Sequence, residues 1–149
     1  MLETVALWVA LYLVVLGISS LLGVSGNQLV RARQKLDRLQ LRNSFAIRKF
    51  NCGKVSQLSG VRRLNGLASR ARRIVGHIDL YVFELRENKR IPVLRADAEK
   101  LFQSYRNLAV SFLKGEGKDL SVSALSDIGK SIEDLRGRVL KELNGELKF

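Results

Sequence analysis

Residues 61–85 read VRRLNGLASRARRIVGHIDLYVFEL, and their spacing decides the fold. Val61, Leu64, Ala68, Ala71, Val75, Ile78, Val82 and Leu85 alternate by three and four. That is the period of an α-helix with one apolar face, and the run is the longest heptad stripe in the chain. Gly60, Gly66 and Gly76 each weaken the helix by roughly 1 kcal/mol relative to Ala, and mark places where it bends or packs closely. Asn88-Lys89-Arg90-Ile91-Pro92 closes it, because a residue before proline avoids the helical region.

Outward from this stretch the same period recurs. Leu29, Ala32, Leu36, Leu39, Ala46 and Phe50 form a stripe interrupted by Asn43, and Asn51-Cys52-Gly53 supplies a stop with Gly53 at the left-handed cap. Downstream, Leu94, Ala98, Leu101, Tyr105, Leu108 and Phe112 repeat it, with Pro92 favourable at a helix start. Lys114-Gly115-Glu116-Gly117-Lys118 reads as a loop. Ser121 or Ser123 caps a last helix whose stripe is Leu125, Ile128, Ile132, Leu135 and Val139, with Asp134 and Arg138 as an i,i+4 pair. The spacing predicts helices over about 27–51, 54–88, 92–114 and 121–146. No alternating run suggests a sheet. Short connections make neighbours antiparallel, so residues 26–149 are expected to be an antiparallel helical bundle or coiled-coil-like domain.

Ahead of this domain, residues 4–24 read TVALWVALYLVVLGISSLLGV without a charge. A 21-residue helix spans about 31 Å, against a hydrocarbon core of about 30 Å, so the all-α fold is expected to begin with a transmembrane anchor over 1–25. A cleaved signal peptide is the rival, but a basic leading region is missing and the run is long for one. No Lys or Arg precedes the run and five follow it closely, which predicts a single-pass placement in a cell (inner) membrane, N-terminus outside and domain cytoplasmic. The span either continues into the first bundle helix without a break or turns at Ser25-Gly26-Asn27, a candidate hinge. Ala6, Ala10, Gly17 and Ser20 share a face, and Ser19 and Gly23 form a small-xxx-small pair, so these six are the candidate span-packing residues.

Charge separates the halves of the domain. Of 26 basic side chains in the chain, thirteen fall in 25–75 beside one acid, Asp37, whereas 76–149 holds thirteen bases and twelve acids. The net +12 therefore resides almost wholly in one block, whose candidate binding residues are Arg31, Arg33, Lys35, Arg38, Arg42, Arg48, Lys49, Arg62, Arg63, Arg70, Arg72 and Arg73. Such a block meets phosphates or carboxylates. The expected partners are membrane lipid headgroups, other membrane-protein subunits or a second copy of the chain. Nucleic acid is the alternative, though Phe45 and Phe50 are the block's sole aromatics for stacking.

Catalytic chemistry is sparse. His77 is the one histidine and Cys52 the one cysteine, too few for a zinc site or a nucleophile–base pair. His77 reads as a satisfied helix residue and Cys52 as a small helix-end residue. Gly115-Glu116-Gly117 lacks the pattern of a phosphate loop. No enzyme, cofactor or metal is expected.

Asn27-Gln28-Leu29-Val30-Arg31-Ala32-Arg33 resembles the opening of the LemA family, whose members carry an N-terminal span and long antiparallel helices. The likeness covers seven residues. The family's Ala-Trp pair would fall near Leu39-Gln40, where it is missing, and its Asp-Leu-Ile-Pro-Asn stretch has no counterpart, so no functional residue is carried over. The functional expectation is a membrane-anchored helical adaptor, or a small structural subunit of a larger membrane assembly, with an Arg-rich face for acidic partners or anionic lipid. Its alternative is a membrane-tethered nucleic-acid-binding protein.

Overall fold

The computed structural model describes residues 2–53, 55–82, 90–115 and 118–146, with side chains described over 8–14, 28–53, 55–81, 92–115 and 121–144. These residues form four helices: α1 (Leu2–Asn51), α2 (Gln57–Val82), α3 (Arg90–Leu113) and α4 (Lys118–Glu146). All described secondary structure is helical.

The stripes explain the packing. Leu29, Leu36, Leu39, Leu64, Ile78, Tyr105, Leu125, Ile132 and Val139 are wholly buried, and the remaining described stripe positions line the same core or its margin. Burial of one such side chain stabilises by about 1.5–3 kcal/mol, so the core outweighs any surface pair. Truncation of Leu64 to Ala at its centre costs about 2–5 kcal/mol. Leu67, Ile74 and Tyr81 are also buried, which gives α2 a second apolar row. The row is there because α2 packs against both α1 and α3.

Helix order around the bundle is α1–α2–α3–α4, each packed on its two neighbours, with α4 closing onto α1. Cross-helix contacts fix the directions. Phe45 meets Arg63 while Gln28 meets His77, so α1 and α2 run antiparallel. Gln57 reaches Leu113 while Arg72 reaches Glu99, which sets α2 against α3 in the same way. The diagonal pair α1 and α3 meets through side chains: the Phe50 and Phe112 rings pack edge to face, centroids 5.2 Å apart.

The joints follow local chemistry. Gly53 ends α1 with φ +71° and Gly115 follows α3 with φ +83°, a backbone state that costs glycine little. α2 begins at Gln57, three residues later than the periodicity suggested, because the Ser56 hydroxyl accepts the Ser59 N–H at 3.3 Å and caps it. The expected extension over 83–88 lies outside the described residues. α3 starts at Arg90, ahead of Pro92, whose missing N–H costs nothing in a first turn. α4 starts at Lys118, so Ser121 lies buried within it and is not its cap.

The membrane reading is corrected. Among the described residues no helix is long and apolar enough to cross a membrane, which removes the transmembrane anchor and the single-pass placement with N-terminus outside. The apolar run is the leading part of a helix of 50 residues that continues through Ser25-Gly26-Asn27 without a hinge into the charged bundle. Within that run the described side chains, those of 8–14, are all exposed. Of the candidate span-packing residues, Ala10 is exposed, and Ala6, Gly17, Ser19, Ser20 and Gly23 lie outside the described side chains.

Candidate functional site

Helical spacing sorts the basic block by face. On α1, Arg31, Lys35, Arg38, Arg42, Phe45 and Lys49 recur at four and three, one row beside the core stripe. On α2, Arg63, Arg70 and Arg73 form the facing row, with Arg62 at its rim and His77 at its far end. The two rows flank the α1/α2 seam over about 27 Å, from the rise between Arg31 and Lys49.

Two cavities mark this seam. One, of about 210 Å³, is lined by Arg42, Phe45, Ala46, Arg62, Arg63, Gly66, Leu67 and Arg70. The other, of about 120 Å³, is lined by Lys35, Arg38, Leu39, Arg70 and Arg73. Arg70 belongs to both, and neither has an acidic wall.

Electrostatics set this seam apart. Arg136 pairs with Asp37 at 2.6 Å across α1/α4, and Arg138 with Asp97 at 2.7 Å across α3/α4. Arg95 pairs with Asp79, and Arg72 with Glu99 at 3.7 Å, across α2/α3. Among the described residues no ion pair crosses α1/α2. Asp37, the one acid of the block, faces α4. Exposed pairs are worth about 0–1 kcal/mol each, so the three paired seams gain specificity of alignment more than stability.

The unpaired cations press on one another. Burial first, then Arg42 and Arg73, lower the Arg70 pKa from the ordinary guanidinium value. Burial, then Lys35 and Arg31, likewise lower the pKa of His77. The ring is held by Gln28, whose Oε1 lies 2.7 Å from Nδ1, so the neutral tautomer that donates from Nδ1 fits best. Phe45, half exposed, is flanked by the Lys49 ammonium at 5.6 Å and the Arg63 guanidinium at 5.8 Å. The Arg63 Nε is buried and has no hydrogen-bond partner.

Not every residue of the block joins the seam. Arg33 lies one turn before Asp37 on the α4 side, and Arg48 is exposed seven residues beyond Leu41 on the outer face. Arg72 turns to α3, pairing with Glu99 and lying 5.1 Å from the Phe102 ring. Composition cannot separate these three from the others; helical phase can. Phe45, which the sequence offers only as an aromatic of the block, stands in the basic row itself, seven residues after Arg38.

Among the described residues no three His, Cys, Asp or Glu side chains gather where they could hold a metal. Cys52 is free and exposed at the end of α1. Among the described residues the arrangement is a bundle of four helices with one uncompensated cationic seam. No family model, curated protein or solved structure matches the chain, so the resemblance at 27–33 gains nothing from these comparisons.

Proposed function

We propose that the chain is a helical adaptor: a binding module that docks an acidic segment of a partner protein along the α1/α2 seam. One observation carries the reading. Of the four packed seams, this is the one where cations line both sides and, among the described residues, no acid crosses to meet them. Like charge held together destabilises a fold unless a counter-charge arrives, and an arriving polyanion recovers that energy. Guanidinium groups suit the task, since each offers a planar fork to a carboxylate and stays charged.

The docking is tested by titrating the full chain with a labelled glutamate-rich peptide at low salt and following fluorescence anisotropy. Saturable binding that weakens steeply with added salt is expected. An absence of binding at low salt contradicts the adaptor reading. A single-stranded oligonucleotide of similar length is the control, and its tighter binding would transfer the seam to nucleic acid, since Phe45 offers one stacking face and the cations suit phosphodiesters equally.

A further inference from the structure

The larger seam cavity differs from the rest of the groove in ways that point to a particular ligand group. Four guanidinium side chains, Arg42, Arg62, Arg63 and Arg70, share one cavity of about 210 Å³. Each guanidinium carries five N–H donors, whereas one carboxylate offers two oxygens and a single charge. A phosphate monoester brings about −1.5 to −2 charge and three strong acceptor oxygens, a closer match to this donor excess.

Two further features are built into the wall. Arg63 lines the cavity, and its guanidinium is steadied over the Phe45 ring at 5.8 Å. Gly66 also lines the cavity, and a Cβ placed there would meet nothing within 4 Å. That missing side chain keeps the cavity open, at a helix position where glycine otherwise weakens the helix relative to Ala.

We propose that this cavity receives a phosphorylated side chain carried on the acidic segment that docks along the seam. The inference rests on the adaptor reading and adds the chemical class of its anchor residue. The carrier is a peptide, not a free anion, because the basic groove continues beyond the cavity. Arg70 is shared with the neighbouring cavity of about 120 Å³, which Lys35, Arg38 and Arg73 line in turn. The groove's length, about 27 Å, accommodates roughly eight extended residues.

The experiment uses the full chain and two labelled peptides of about eight residues, glutamate-rich, with a central serine in one and phosphoserine in the other. The phosphopeptide is expected to bind about tenfold tighter. Gly66→Leu keeps every charge, improves helix propensity and fills the cavity, so it should erase the tenfold ratio between the two peptides. Arg63→Gln should shrink the same ratio, with circular dichroism confirming an unaltered helical fold. Equal affinity of the two peptides overturns the phosphate anchor and leaves the adaptor reading standing. So does a ratio that survives Gly66→Leu. Inorganic phosphate that displaces the phosphopeptide at equal concentration overturns the proposal at its carrier, because the cavity would then take a free anion. If neither peptide binds, both the adaptor reading and the anchor fall.

Discussion

The Tyr105 hydroxyl donates to the Asn43 side-chain oxygen at 2.8 Å, across the core from α3 to α1. Asn43 passes the link on, donating through Nδ2 to the Leu125 carbonyl of α4 at 2.8 Å. Three helices thus meet at one buried polar point. Burial pushes the Tyr105 pKa far above its ordinary value, which keeps the hydroxyl protonated as the donor this link requires. Gly129 lies beside the site, where an added Cβ would come within 3.1 Å of Asn43 Nδ2. A buried polar link of this kind fixes the alignment of helices that apolar stripes alone would leave free to slide.

Asn43→Ala leaves the Tyr105 hydroxyl buried and unpaired, so it should cost about 2 kcal/mol. Tyr105→Phe removes the donor and should cost about 1–2 kcal/mol. The two losses should not add, because each removes the same bond. Urea unfolding of the single and double variants measures the coupling, and strict additivity would show that the pair is not linked.

Two glycines in one helix should respond oppositely to alanine. A Cβ at Gly60 would lie 2.2 Å from Phe112, whose ring is packed on Phe50, so Gly60→Ala should destabilise by about 1–3 kcal/mol. Gly76 has nothing within 4 Å, and Gly76→Ala should stabilise by about 0.5–1 kcal/mol through helix propensity and reduced freedom of the unfolded chain. Thermal unfolding distinguishes them, and matching shifts would contradict this account of α2 packing.

His77 predicts a pH window. Its folded pKa is below the ordinary 6.5, owing to burial and then to Lys35 and Arg31. The unfolded chain therefore binds the proton more readily. Stability from this residue is complete above pH 6.5 and is lost as pH falls from there through the lowered folded pKa. The stability of His77→Gln should consequently decline less than that of the parent between pH 7 and pH 5. Parallel declines of the two would assign the loss elsewhere.

Much of the bundle was legible because apolar side chains report helix phase directly. Every described stripe position proposed for α1, α3 and α4 is buried, and Gly53 takes the left-handed turn assigned to it. Asn43 misled because a polar residue in an apolar row reads as a break; its partners, Tyr105 and the Leu125 carbonyl, come from helices 62 and 82 residues away. The run over 4–24 misled in another way. Hydropathy is a property of the segment alone, whereas the helix it belongs to extends into the packed, charged bundle.

The candidate site was legible as a population of cations, not as a place. Arg33, Arg48 and Arg72 carry the same charge as Arg42 and Arg70, but their helical phase turns them to other faces. Pairing across seams depends on Asp37, Asp79, Asp97 and Glu99, and whether these acids reach a given arginine is decided by bundle order. That order is a long-range property.

Arg70→Gln tests the central claim most directly, with thermal stability and glutamate-peptide affinity measured on the same sample. Arg70 lies among Arg42 and Arg73 without an acid, so its neutralisation relieves repulsion and should leave stability unchanged or raised while weakening the peptide several-fold. A lowered melting temperature with undiminished peptide affinity would contradict the account, because Arg70 would then serve the fold and not the partner.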